Sequence, residues 1–191
     1  MGKGKEYSYD GNLIFEGEYK NDKNWSGKGY NSLNNIIYEL KEGKGLIKEY
    51  DYNGKLTFEG VYKYGRRNGI LKEYANGKLR FDGEYLNGKR NGKGKEYDED
   101  FKLKFEGIYL YDYKLKGKLY INKILEYEGE FLYNNKFKGK GYDEKGNIIY
   151  ELINGNGKVK EYYNFDILKF EGEYLNGKKM EREKNMILMA N

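Results

Sequence analysis

The sequence predicts an all-β protein, an elongated single-layer antiparallel meander of about eight stacked β-hairpin units. Three observations carry that expectation: a tandem aromatic motif, regularly placed turn dipeptides, and the absence of proline. The motif Phe/Tyr-Glu/Asp-Gly-x-Tyr/Phe occupies Phe15–Tyr19, Phe58–Tyr62, Phe81–Tyr85, Phe105–Tyr109, Tyr127–Phe131 and Phe170–Tyr174. Two weaker copies, Tyr38-Glu39-Leu40 and Tyr150-Glu151-Leu152, fill the gaps, so the interval is about 20–24 residues throughout. A period of that size marks one supersecondary unit per repeat, each burying its apolar face on its neighbours.

The stretch Tyr74–Tyr97 shows how one unit is built. Asn76-Gly77 and Asn87-Gly88 tolerate positive φ at two adjacent positions, which tight hairpin turns require. Between them Leu79, Phe81, Gly83 and Tyr85 share one face while Arg80, Asp82 and Glu84 share the other, the alternation of a half-buried strand. Gly83 and its equivalents Gly17, Gly60, Gly107, Gly129 and Gly172 weaken a strand unless something occupies the space they leave. A ring from the adjacent hairpin is expected there.

The returning strands carry their own signature, at Gly2–Tyr7, Gly27–Tyr30, Gly45–Tyr50, Gly92–Tyr97, Gly117–Tyr120, Gly139–Tyr142 and Gly157–Tyr162. Two strands per period at ordinary spacing give a twisted ribbon roughly 70–80 Å long. With no proline, no ladder hydrogen bond is lost to that residue. Gly2–Tyr7 has no first half and is expected as a loosely paired edge. Residues 15–62 align without a gap to 127–174, so either a block was duplicated or the shorter spacing after Tyr38 and Tyr150 shapes a recurring bend. Trp25, the single Trp, falls where Phe137 stands in the second copy and is expected as a plug within a loop.

The array is expected to span residues 1–178. The tail 179–191 (KMEREKNMILMAN) abandons the pattern for helix-favouring residues, which predicts a short helix capping the last hairpin.

Composition limits the chemistry. Mean hydropathy is −1.04, yet 17% of the 191 residues are aromatic and 23 are Tyr, rings able to cover a thin sheet while keeping one polar end in water. Disordered chains lack such spaced aromatics. There is no Cys and no His, which removes disulfides, thiolate nucleophiles, imidazole bases and the usual zinc ligands. The glycine-rich string Gly88–Gly94 has no phosphate-loop spacing, and Asp98-Glu99-Asp100 lacks the spacing of a calcium loop. No catalytic residue, metal site or cofactor is expected, and the chain reads as a non-enzyme.

Net charge is +5, spread along the chain, which implies no nucleic acid. The beginning, Met1-Gly2-Lys3-Gly4-Lys5-Glu6, lacks an apolar stretch and has Glu6 where a myristoylation signal needs Ser or Thr, so a soluble cytoplasmic chain is expected.

Phe81–Tyr97, FDGEYLNGKRNGKGKEY, resembles a MORN repeat: an aromatic, Glu-Gly-x-aromatic, an Asn-Gly-Lys turn, then Gly-x-Gly. The resemblance covers about residues 3–178. It implies an elongated hairpin stack that serves as an interaction or scaffolding module, in some members at membranes or cytoskeletal structures. The form KEYxxNGKLxFEGxY at Lys48–Tyr62, repeated with one residue fewer and Asp for Glu at Lys72–Tyr85, is also similar to bacterial antitoxin-type variant repeats, which implies an antitoxin or immunity partner as another context.

Two surfaces are candidate sites. One is an aromatic-lined groove of Phe58, Tyr62, Phe81, Tyr85, Phe105, Tyr109, Tyr127 and Phe131, suited to a protein segment, although most such rings serve a protein's own packing. The other is a basic loop edge of Arg66, Arg67, Lys89, Arg90, Lys136 and Lys138, facing an acidic partner or anionic phospholipid at about 1 kcal/mol per cation. A scaffold or adaptor binding a protein partner is the leading expectation, a peripheral membrane adaptor the second. Free sheet edges also suit edge-to-edge homodimerisation.

Overall fold

A computed structural model describes residues 1–51 and 53–180. Every element among them is a strand. The first sheet contains β1 (Gly2–Tyr7), β2 (Leu13–Lys20), β3 (Lys23–Tyr30) and β4 (Ile36–Leu40). The second runs through β5 (Gly45–Tyr50), β6 (Leu56–Lys63), β7 (Arg66–Ala75), β8 (Lys78–Leu86), β9 (Lys89–Tyr97), β10 (Leu103–Leu110), β11 (Tyr113–Ile121), β12 (Ile124–Leu132), β13 (Asn135–Tyr142) and β14 (Ile148–Leu152). The third contains β15 (Gly157–Asn164), β16 (Ile167–Leu175) and β17 (Lys178–Lys179). Within each sheet spatial order follows chain order and neighbours are antiparallel, so the meander is as expected. β1 is not loose: it pairs with β2 along its length.

The ladder is not continuous. It breaks between β4 and β5 and between β14 and β15, the two places where the aromatic spacing shortens. Only the single bridges Lys41↔Lys44 and Ile153↔Asn156 survive there. In regular hairpins a glycine faces the partner strand, as Gly60 faces Leu71 and Gly83 faces Gly94. At the breaks both flanking inward residues are branched and buried, Leu40 with Ile47 and Leu152 with Val159. Two such side chains cannot share the space a glycine yields to its partner, so the strands diverge.

The turns form where the dipeptides place them. Asn76-Gly77 and Asn87-Gly88 have φ of 52° and 74°, and of 54° and 87°, the positive pair that matches strand twist. Tyr111-Asp112 and Tyr133-Asn134 adopt the same geometry without glycine. Along this edge successive turns are tied together: Gly65 N donates to Gly43 O, Gly88 N to Arg67 O and Asp112 N to Arg90 O, each at 2.9 Å. Loops 98–102 and 143–147, on the opposite edge, are closed by an aspartate that accepts two backbone N–H groups, Asp98 from Asp100 and Lys102 at 2.9 Å each and Asp143 from Lys145 and Asn147. Trp25 lies in β3 rather than a loop, its ring packed over the Gly43 turn.

The core is a zipper of rings. Phe81 meets Tyr85 of its own unit at 5.8 Å and Tyr109 of the next at 5.2 Å, both edge to face. Phe105 repeats this with Tyr109 and Phe131. The glycines make room, though differently from the expectation: the ring above Gly83 is that of Phe81 on the same strand, while Gly94 lies under both Phe81 and Tyr109. A methyl group at Gly107 would stand 2.7 Å from both the Phe105 ring and the Gly117 Cα.

The helical cap lies outside the described residues apart from its first two. Of those, Lys179 is in β17 and Met180 donates its N–H to Glu173 O at 2.9 Å, so the hairpin pattern runs past 178.

Candidate functional site

The strand parity that buries the rings also sorts the charges. A two-residue turn places the first residue of the next strand outward and the second inward. Arg66 and Lys89 are therefore exposed, and Lys138 is exposed because the bulge at Phe137 resets the alternation, whereas Arg67, Arg90 and Lys136 turn onto the aromatic face. Arg67 donates to Glu49 at 2.6 Å with its guanidinium 3.9 Å from the Phe58 ring centre. Arg90 donates to both oxygens of Glu73 and lies 4.2 Å over Phe81. Lys114 sits 2.8 Å from Glu96 and 5.2 Å over Phe105. Half of the expected basic edge is thus committed to internal ion pairs.

The eight rings expected to line an open groove are core instead. Seven of them, Phe58, Phe81, Tyr85, Phe105, Tyr109, Tyr127 and Phe131, are at most 5% exposed, and Tyr62 is half-buried. Their ring-to-ring contacts run along the sheet, and of the eight Tyr62 also lines the cleft described below. Two of the tyrosine hydroxyls are held by carboxylates: Tyr62 donates to Glu49 at 2.8 Å and Tyr109 to Glu96 at 3.0 Å. Burial, then the neighbouring Glu49, pushes the Tyr62 hydroxyl well above its usual range. The carboxylates were legible only as the recurrent Lys-Glu-Tyr tripeptide at 5–7, 48–50, 72–74, 95–97 and 160–162, whose central residues pair opposite Phe15, Phe58, Phe81, Phe105 and Phe170.

The two breaks in the ladder differ in what fills them. At the second, Lys136 Nζ reaches Glu126 at 2.5 Å, Glu161 at 2.9 Å and the Tyr150 hydroxyl at 2.9 Å. The ammonium lies 5.2 Å and 5.6 Å from the ring centres of Tyr127 and Tyr150, which stack on each other. Lys179 completes the group 2.9 Å from Glu161. Burial alone would raise the Glu161 carboxyl; the attraction of Lys136 and the bonds from Lys179 and Lys136 outweigh it and hold the pKa at about 2.

At the first break the equivalent space is an open cleft of about 740 Å³. Its floor includes Phe15, Asn24, Tyr38, Glu49 and Tyr62, and loops 8–12 and 31–35, with Asp51 and Gly54, contribute to its rim. Phe15 and Tyr38 stack with centres 6.4 Å apart at 22°, as Tyr127 and Tyr150 do at 6.4 Å and 20°. Burial, opposed by a hydrogen bond from Asn24, moves the Tyr38 hydroxyl up to about 12.

Among the described residues no group of three or more His, Cys, Asp or Glu is placed to hold a metal ion. No helix of the described residues is long and apolar enough to cross a membrane. No family model matches the chain, and no curated protein matches it.

Proposed function

We propose that the chain is a non-enzymatic interaction scaffold of the MORN-repeat kind, offering the solvent-facing side of its meander to another protein. The observation that carries this reading is an apolar patch on the outer face of β5, β6 and β7. Leu46 and Val61 pair across the first two strands and Ile70 follows on the third, at 74%, 38% and 71% exposed. The outward position otherwise takes mainly Lys, Glu or Asp: Lys95 pairs with Glu106 and Lys118 with Glu128. Adjacent exposed aliphatics among such charges mark a contact surface. The internal rings support the role indirectly, because a face locked by edge-to-face packing presents the patch on a fixed frame.

Parallel affinity captures with the intact chain test this. Leu46→Ser with Ile70→Ser is expected to reduce the captured partner about tenfold or more, whereas Arg66→Ser with Lys89→Ser leaves it unchanged. Because all four side chains are exposed, each variant stays within about 0.5 kcal/mol of the parent in stability. A second reading, a peripheral membrane adaptor, rests on the exposed cations Arg66, Lys89 and Lys138. Co-sedimentation with anionic vesicles that is lost in the arginine and lysine variant but kept in the Leu46 and Ile70 variant would replace the scaffold reading with it.

A further inference from the structure

The protein carries one internal lysine site that is filled and a second, built on the same frame, that is open. Phe15, Tyr38, Glu49 and Tyr62 stand where Tyr127, Tyr150, Glu161 and Tyr174 stand in the later block, and Arg67 stands where Lys179 does. Stacked rings, a carboxylate bonded to a tyrosine hydroxyl, and a flanking cation are common to both. Two residues differ in kind. Glu126 and Lys136, which meet at the centre of the second site, are replaced by Ile14 and Asn24 in the first.

We infer that the cleft at the first break binds a primary alkylammonium group, in the position that Lys136 Nζ occupies at the second. Four features support it. The stacked pair Phe15 and Tyr38 repeats the ring geometry that flanks Lys136, and ring faces attract cations. Among the described residues Glu49 has one inward cation partner, Arg67, where Glu161 has two, Lys136 and Lys179. Glu6, Asp10, Glu49 and Asp51 line the cleft against a single cationic liner among the described residues, Lys48, whose ammonium lies 3.8 Å from Glu59. The volume, about 740 Å³, holds a straight four- or five-carbon chain, within the range common for small-ligand sites. Ile14 lines the cleft and supplies apolar surface for the methylene stem, as lysine stems lie along apolar surface elsewhere. This reading is independent of the apolar outer patch.

The source of the ammonium is either a free diamine or a lysine side chain of a polypeptide, and two probes separate them. The intact chain, labelled with ¹⁵N, is titrated with pentane-1,5-diamine, with Nα-acetyl-lysine methylamide, and with pentan-1-ol as an uncharged control. Saturable shifts confined to the amides around Asn24, Tyr38 and Glu49 are expected with at least one amine and not with the alcohol. The tighter of the two amines names the source. Ile14→Glu with Asn24→Lys rebuilds the second site in the first, so the chain supplies its own ammonium and amine binding is expected to weaken about tenfold or more. If that variant misfolds, Glu6→Gln serves: Glu6 is exposed on the cleft, and binding is expected to weaken about threefold through loss of one screened charge. Absence of saturable binding by both amines, equal shifts with the alcohol, or amine binding unchanged in a folded variant would overturn the inference.

Discussion

Replacing Lys136 with methionine is expected to destabilise the protein by about 3–5 kcal/mol, the range for removing one partner of a buried ion pair. Methionine keeps the length and apolar stem of the side chain but leaves Glu126 and Glu161 facing each other, with Lys179 as the one compensating cation among the described residues. The side chains of Lys136, Glu126 and Glu161 are each at most 10% exposed, so water cannot substitute. The loss should be concentrated at the junction of β13, β14 and β15, because a repeat array couples mainly to its nearest neighbours. Urea denaturation followed by circular dichroism gives the total, and amide exchange in β15 and β16 locates it. The triple variant Glu126→Gln, Lys136→Met, Glu161→Gln should recover most of the stability, since neutralising a whole buried cluster is often close to neutral. A loss below about 1 kcal/mol in Lys136→Met, the value of an exposed pair, would show the cluster to be solvated.

The same cluster sets an acid limit. Glu161 titrates at about 2 in the folded chain against an ordinary 4.5, so its folded-state pKa is depressed. Its contribution is complete above about pH 4.5 and is lost as pH falls toward 2. Thermal midpoints measured from pH 5 to pH 2 should therefore fall more steeply for the parent than for Glu161→Gln; parallel curves would refute this. Lys136 acts at the other end. Burial alone would lower its pKa, but Glu126 and Glu161 hold it above the ordinary 10.5, so its share is lost only in strong alkali.

The fold was legible because its determinants are local and repeated. Phe15, Phe58, Phe81, Phe105 and Tyr127 fall at the phase positions, and the structure buries all five. Asn-Gly announces a turn because those residues tolerate positive φ cheaply. Tyr133-Asn134 does not announce one, although it turns the chain in the same way; there the register of β12 and β13 imposes the geometry. The charged face was misread for a reason of parity. Adjacent pairs such as Arg66-Arg67 and Lys89-Arg90 look like a basic edge when read as loop residues, but they begin strands, where neighbours must point to opposite faces. The ladder breaks needed three-dimensional information. Spacing alone left duplication and bending as alternatives, and the divergence of β4 from β5 depends on Leu40 and Ile47 meeting across a turn.

Phe105→Ala is expected to cost about 3–5 kcal/mol, as truncation of a fully buried ring does. Phe105 is 0% exposed and is held from every side: Tyr109 at 5.3 Å, Phe131 at 5.5 Å, the Lys114 ammonium at 5.2 Å, and the bare backbones of Gly107 and Gly117 beneath its tip. Those glycines cannot collapse into the cavity, because they have no side chain to move and their strands are fixed by ladder bonds on both sides. The cost should therefore sit at the high end of the range, and Phe105→Leu, which fills part of the space, should lose about half as much. The ring also belongs to two units at once through Tyr109 and Phe131, so its loss should not add to that of its neighbour. In a double-mutant cycle, Phe105→Ala with Phe131→Ala should cost about 1 kcal/mol less than the two single losses together, since one cavity serves both. Strict additivity, measured by urea midpoints, would mean the units are held together by backbone pairing and not by the shared rings.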